Sequence, residues 1–473
     1  MNKESNFLKN TTVIVIGKIC TQCVSFLLLP LYTAVLSSEE YGVVDLLNTY
    51  ITLLLPIFSI QMEQGFFRFL VDVRSDEEKR NNTFSTAFWG LTISSLIGTL
   101  VLAGITLIFH IPYGYFLISN ILVTCYSSNM LGASRGLGLY GIYSFGSFLI
   151  AGSTIIFNIV FIVHFKLGAT GMLLAYFCAN FLGAIFCFFS LHGLHILSKG
   201  KFSFAIYKEI LKYTAPLIPN TISWWLINAS DRTIISAFLG VAANGIYSVA
   251  NKFSGVYITI YSLFNMTLTE NVILYSKSDE DKKFLASIMN GYIRFFTCIG
   301  LGIIACMPFA FKFMVNAQFA DSYPQIPILV VASIFNVFVG LCTTIYVAQK
   351  ASSAIAKFAF LSAVINVATN ICMIHKIGLY AASISTCIAY ACTAFMMVWD
   401  LKKAGKMVKV DIKFLIRFTI VLLWTIAVYY CGTTVLKIAT LMFVCVFSLL
   451  SVRKYFSVAV NIIRKKSEGD PYD

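Results

Sequence analysis

The chain has 473 residues and a net charge of +14 at pH 7, yet 58% of its residues are hydrophobic and only 12% are charged. This composition excludes a soluble fold, because too few polar side chains remain to cover a water-facing surface. It leaves no room for a soluble catalytic or nucleotide-hydrolysing domain, and the basic charge, read by position, faces a membrane and not a nucleic acid.

An apolar helix of about 20 residues crosses a bilayer. About fourteen such stretches follow one another, at roughly 11–34, 43–70, 83–109, 114–133, 141–164, 170–191, 214–239, 245–274, 285–311, 326–348, 354–374, 378–400, 414–431 and 436–456. The predicted fold class is an all-α polytopic membrane protein. The leading residues, Met1 to Asn10, are too polar for a cleaved signal peptide, so the first span is expected to serve as the insertion signal. Cys20 and Cys23 form a C-x-x-C inside that span, where two small apolar residues are the plain reading. No histidine cluster accompanies any of the thirteen cysteines, so neither a metal nor a cofactor is expected.

Further along, Pro30, Pro56, Pro216, Pro219 and Pro308 interrupt helical hydrogen-bond ladders. Gly132, Gly136, Gly138, Gly141 and Gly146 make the region around the fourth break either supple or closely packed. In the break from His192 to Tyr213, Phe202, Ala205, Ile206 and Ile210 share a helical face, with Lys201, Lys208 and Lys212 off it. That pattern predicts an amphipathic helix on the membrane surface. Trp224 and Trp225 fall inside the seventh span, and Tyr247, Tyr257, Tyr261 and Tyr275 recur along the eighth. Core bulk is the plain reading of these rings; an aromatic wall for sugar rings is the functional one.

With the N-terminus placed in the cytoplasm, the even-numbered breaks and both tails carry 26 Lys and Arg residues and the odd-numbered breaks carry four. The excess of basic residues places both termini in the cytoplasm. A shift of 203 positions brings Leu8, Lys9, Thr11, Ile19, Ala34, Leu36, Gly42 and Asn48 onto identical residues, among them Gly245 for Gly42. The repeat predicts two parallel halves of six spans each. The expected organisation is an N-lobe over 1–195, a linker over 196–213, a C-lobe over 214–403, and two added spans with a tail over 404–473.

The remaining five basic residues lie inside spans: Lys18, Arg68, Arg232, Lys252 and Arg294. A charge in lipid costs from about 3 kcal/mol upward, so each needs a cavity or a partner. Together they suggest a cationic interior that could hold a phosphate group. Arg68 and Arg294 also fit snorkelling near a boundary. Asp45 and Asp231 are the carboxylates to match them, in structural or coupling roles. For Asp231 a salt bridge to Lys252 or Arg232 that staples two helices competes equally with an anion site.

The stretch Leu211-Lys-Tyr-Thr-Ala-Pro-Leu-Ile-Pro-Asn220, then Ser230-Asp-Arg-Thr-Ile-Ile235, then Gly245-Ile-Tyr-Ser-Val-Ala-Asn-Lys252, resembles the polysaccharide flippase family (Wzx type) of the multidrug/oligosaccharidyl-lipid/polysaccharide exporter superfamily. The stretch from Gln349 to Ala382, with Asn366, Asn370 and Gly378, is similar to that family's eleventh and twelfth spans, and Glu40-Tyr41-Gly42 fits its early turn. The resemblance implies a monomer in a bacterial cytoplasmic membrane. It implies movement of an undecaprenyl-pyrophosphate-linked oligosaccharide to the outer leaflet by alternating access, driven by a cation gradient or the membrane potential. A polysaccharide polymerase and a chain-length regulator are the implied partners, besides membrane lipids. A cation-coupled multidrug extruder of the same superfamily is the alternative; a membrane polymerase or ligase fits less well, because the outward breaks are short.

Overall fold

The computed structural model describes residues 24, 26–274, 279–349, 351–405 and 410–467. Lys18, Cys20, Cys23 and Tyr275 lie outside them. Among the described residues every regular element is helical, and eleven helices are long and apolar enough to cross a membrane. The chain is a multi-pass membrane protein. By packing it divides into two compact units, Met1–Ser248 and Val249–Asp473. The division falls inside the eighth predicted span and not at the 196–213 linker, because the helix after the linker packs against the second span.

The first unit runs α1 (Leu29–Val35), α2 (Ser38–Phe58), α3 (Met62–Asp72), α4 (Glu77–Ile108), α5 (Gly114–Gly136), α6 (Tyr140–Asn158, continued as a π-helical turn Ile159–His164), α7 (Gly168–Ser190), α8 (Gly193–Lys199), α9 (Phe204–Thr214), α10 (Leu217–Leu239) and the start of α11 (Val241–Leu274). The starts are capped by polar side chains that satisfy free N–H groups. Ser37 forms a capping box with Glu40 at α2, Asp76 accepts from the Lys79 amide at α4, and Ser203 accepts from the Ile206 amide at α9. Met62, Phe66, Phe84, Leu91 and Ile121 form the buried centre. Outward, α4 exposes apolar side chains such as Leu100 and Leu107, at 66% and 76%, as a lipid-facing helix must.

The predicted second span is two helices. α2 stops at Phe58 and α3 begins at Met62, and Ile60 and Gln61 between them are left-handed, with φ of 46° and 54°. Pro56 marks the region but not the break. The glycines near the fourth break are resolved in favour of packing at two positions. A side chain at Gly132 or Gly136 would meet the backbone carbonyls of Glu63 at 2.9 Å and Phe66 at 2.7 Å, so these two glycines let α5 lie directly on α3. The amphipathic segment is α8 and α9, with Ile210 buried against Gly65 of α3 and Lys201, Lys208 and Lys212 exposed.

The second unit runs from the rest of α11 through α12 (Asp279–Met314), a 3-10 stretch (Ala317–Gln325), α13 (Ile326–Ala348), α14 (Ser352–Ile377), α15 (Tyr380–Lys403), α16 (Ile412–Cys431) and α17 (Thr434–Ser467). Tyr257 and Tyr261 are buried here and stand edge-on to Phe296, and the Tyr257 hydroxyl donates to the Phe296 carbonyl. They are core, not a sugar platform, because both rings are buried.

Arg294 of α12 holds the last two helices. Its guanidinium donates to the Asp411 carboxylate, reaches the Ser451 carbonyl of α17 at 3.4 Å, and lies 4.6 Å from the centre of the Phe414 ring. Asp411 also caps α16 by accepting from the Phe414 amide, and its own amide donates to Asn290. One buried cation therefore fixes both the start of α16 and the flank of α17.

The Asp411 carboxyl is held below the usual carboxylate range, first by the Phe414 amide and then by the Arg294 charge. A lowered folded-state pKa contributes stability that is complete above the unfolded value of about 3.9 and is lost as pH falls through the lowered value. Apparent Tm measured from about pH 7 down to about pH 3 should fall further for the wild type than for Asp411→Asn. Arg294→Ala should cost about 1–3 kcal/mol at neutral pH. Equal acid sensitivity in wild type and Asp411→Asn would remove this pin from the account.

Candidate functional site

The site is built at the end of α2, α10 and α11 remote from the basic loops around Lys79 and Lys199. Chain turns set its geometry. Ser37 starts α2, and Gly240, with φ of 90°, reverses the chain between α10 and α11. α2 and α11 then approach until their backbones touch. A side chain added at Gly42 would strike the Val241 carbonyl and lie 2.9 Å from the Gly245 nitrogen. One added at Gly245 would strike the Ser38 carbonyl and lie 3.0 Å from the Gly42 nitrogen. Only glycine permits this approach. Asn244 adds a bond from its side-chain amide to the Gly42 carbonyl, at 3.1 Å.

The contact is reciprocal, and its register is the register of the repeat. Ser38 and Val241, Gly42 and Gly245, and Asp45 and Ser248 are each 203 residues apart, and each residue lies in the contact formed by its own counterpart. The weak sequence repeat thus marks the positions at which two related helices meet about a local two-fold.

One turn deeper the same meeting brings charge together. Asp45 Oδ2 accepts from Ser248 Oγ and from Arg232 Nε, the latter at 2.8 Å. The pair is well shielded, with the Arg232 and Asp45 side chains 18% and 11% exposed. Beside it Asp231 is buried and accepts from the Tyr247 hydroxyl at 3.0 Å. Below, Trp225 Nε1 donates to the Thr49 carbonyl at 2.9 Å, and Gln61 Nε2 donates to Thr221 Oγ1 at 2.7 Å. α2 and the turn after it are therefore laced to α10 at three levels: 45 with 232, 49 with 225, and, from the turn, 61 with 221. In hydrocarbon each donor that lost its partner would find no water to replace it.

The structure engages the three arginines of the expected cationic cavity with carboxylates. Arg68 pairs with Asp72 one turn along α3 at 2.6 Å, with both side chains more than half exposed. Arg232 pairs with Asp45, and Arg294 with Asp411. Each of these arginines thus has a carboxylate partner that offsets the cost of a buried or interfacial charge. Lys252 is a partly exposed residue of α11 in the second unit, and Lys18 lies outside the described residues. The partner of Arg232 is Asp45, a residue that hydropathy sets only one turn from a span boundary. The 203-residue offset contains the missing signal, since it aligns Asp45 with Ser248.

Removal of one partner strands the other charge in an apolar setting. Asp45→Ala and Arg232→Ala should each destabilise the purified protein by about 3–5 kcal/mol. The double change Asp45→Leu with Arg232→Met should recover most of that loss, because it removes both charges together. Thermal unfolding in detergent reads this directly, and additive losses in the double variant would show that the two do not form a pair.

Residues 7–269, more than half of the chain, match the family described as polysaccharide biosynthesis protein. An uncharacterized membrane protein of Methanocaldococcus jannaschii is 23% identical over 408 residues, covering 80% of this chain and 94% of that protein. Among solved structures, the lipid II flippase MurJ in an inward closed conformation is similar with a TM-score of 0.63 at 17% identity, covering 95% of this chain and 98% of MurJ. A multidrug resistance MATE family transporter of the MOP superfamily, inward-facing, is similar with a TM-score of 0.63 at 15% identity, covering 83% of this chain and 98% of that chain. At such identities the likeness is one of fold. The family match over both partners of the Asp45–Arg232 pair, on a helical membrane fold shared with these transporters, shows that the chain belongs to the polysaccharide biosynthesis protein family.

Proposed function

We propose that the protein is a flippase that carries an undecaprenyl-pyrophosphate-linked oligosaccharide repeat from the cytoplasmic to the outer leaflet, for assembly of a surface polysaccharide. The observation that carries this reading is the Asp45–Arg232–Ser248 cluster set behind the Gly42–Gly245 contact. It is a closed, self-complementary seam made of polar bonds inside an apolar protein. A seam of a few hydrogen bonds and one ion pair can exchange partners, and so can open and close. In this reading the seam is the outer closure of an alternating-access cycle, and the structure is its outward-closed state.

The orientation belongs to the same proposal. Both termini and the α8–α9 segment face the cytoplasm, because the basic residues cluster there, and the seam lies on the opposite side. The protein resides in the cytoplasmic membrane. A cation gradient or the membrane potential supplies the drive, with Asp45 and Asp231 as the carboxylates available for coupling. Lys18 and Lys252 are the residues this reading assigns to contact with the pyrophosphate. The family match favours a sugar-lipid cargo over the cationic drugs of a multidrug extruder.

Orientation is checked by single cysteines in an otherwise cysteine-free protein. A cysteine at exposed Glu39 should react with an impermeant maleimide on intact cells, and one at exposed Lys199 should react only after permeabilisation. The opposite pattern would invert the proposed topology.

Cargo is checked in vesicles. Purified protein should move a fluorescent undecaprenyl-pyrophosphate oligosaccharide between leaflets, read as quencher-accessible signal. Lys252→Ala should slow this by about tenfold, as expected for one lost charge-assisted phosphate contact. Movement of a cationic dye with no movement of the sugar lipid would replace the flippase reading with that of a drug extruder.

A further inference from the structure

The break between α2 and α3 is unusual for its surroundings. Two consecutive residues, Ile60 and Gln61, are left-handed, and neither is glycine. For an L-residue that conformation crowds Cβ against the carbonyl, and a β-branched side chain crowds it most. The backbone is rewired around them. The Gln61 amide reaches back to the Pro56 carbonyl at 3.1 Å, and the Met62 amide takes the Ser59 carbonyl at 2.9 Å. A strained turn is retained where the surrounding structure holds it.

What holds it differs on its two sides. α3 is fixed by backbone contact with α5 at Gly132 and Gly136 and by Gly65 against Ile210 of α9. α2, 21 residues long, has its far end in the Asp45 seam and packs Val44, Leu47, Ile51 and Phe58 into the buried centre through apolar side chains. At the break itself one polar bond, Gln61 to Thr221, ties the turn to α10. Beside the break, a groove of about 380 Å³ is lined by Leu54, Ile57, Phe58, Ile60, Ile97 and Gly98. The groove gives the apolar side chains of the turn somewhere to move.

We infer that Ile60 and Gln61 are the hinge on which α2 swings against α3, and that the Gln61–Thr221 bond latches the bent form while the seam is closed. This rests on the alternating conformations of the proposed function. Seam and hinge then sit at opposite ends of one rigid helix. When the seam opens, α2 slides on its apolar packing against α4, α5 and α7, the latch parts, and the left-handed strain favours the swing to the other form.

The test uses full-length protein with nitroxides at Glu39→Cys and Asp72→Cys, both exposed, in the Asp45→Asn background that weakens the seam. Pulsed dipolar spectroscopy should resolve two α2–α3 distances. Ile60→Gly removes the left-handed penalty and should shift the ratio toward the bent distance by about tenfold. Ile60→Ala keeps Cβ and should shift it much less, and Gln61→Met should shift it the other way. A single distance in all four proteins overturns the hinge, as do identical ratios for the glycine and alanine variants. The same spin-labelled proteins with Asp45 restored, assayed in vesicles, separate the two readings. Distances that shift as described without sugar-lipid movement uphold the hinge and remove the flippase assignment. Sugar-lipid movement at a fixed α2–α3 distance overturns the hinge and leaves the assignment standing.

Discussion

Everything distinctive in this protein follows from one constraint: inside hydrocarbon, a backbone or side-chain polar group has no water to turn to. Regular helices meet the constraint by themselves, which is why the described residues form helices and no other regular element. The informative places are those where a helix starts, breaks or carries charge. Ser37, Asp76, Ser203 and Asp411 each satisfy the free N–H groups of a helix start. At the α2–α3 break, rewired amide bonds and the Gln61 side chain serve the same end.

The charged residues obey the same rule in different ways. Arg294 is used for architecture, since its carboxylate partner is also a helix cap and its ring neighbour is on the same helix. Arg68 has water within reach and settles for a neighbour on its own helix. Arg232 differs from both. Its partner lies 187 residues away on a helix that is also bound by a glycine contact and by the Trp225–Thr49 bond. A charge pair of that kind is costly to assemble and costly to halve. It makes the joint between α2 and α10 specific, and its dependence on polar partners distinguishes that joint from the apolar packing of α3 on α5.

Several features are legible in the chain alone. The apolar spacing predicts several of the observed helix termini, including Gly114, Ile326 and Cys431. The surface helix after His192 is readable from its lysines, and the internal repeat from eight identities. Other features are ambiguous in sequence for a physical reason. Gly132 and Gly136 serve equally well as joints or as contact points, and only the nearness of the Glu63 and Phe66 carbonyls separates the two. Tyr257 and Tyr261 fit a sugar wall as well as a core, and it is Phe296 packed against them that decides for the core.

The sequence by itself determined that this is a helical membrane protein, where its spans fall, and which few residues are too polar for their setting. Those are local quantities, set by hydropathy and period along the chain. The tertiary structure decided the pairings. That Arg232 meets Asp45, that Gly42 meets Gly245, and that a span splits at Ile60 all depend on which helices lie side by side. A buried charge fixes only that some partner must exist; the identity of the partner is a property of three-dimensional packing, and here it was set by two glycines that let α2 and α11 touch.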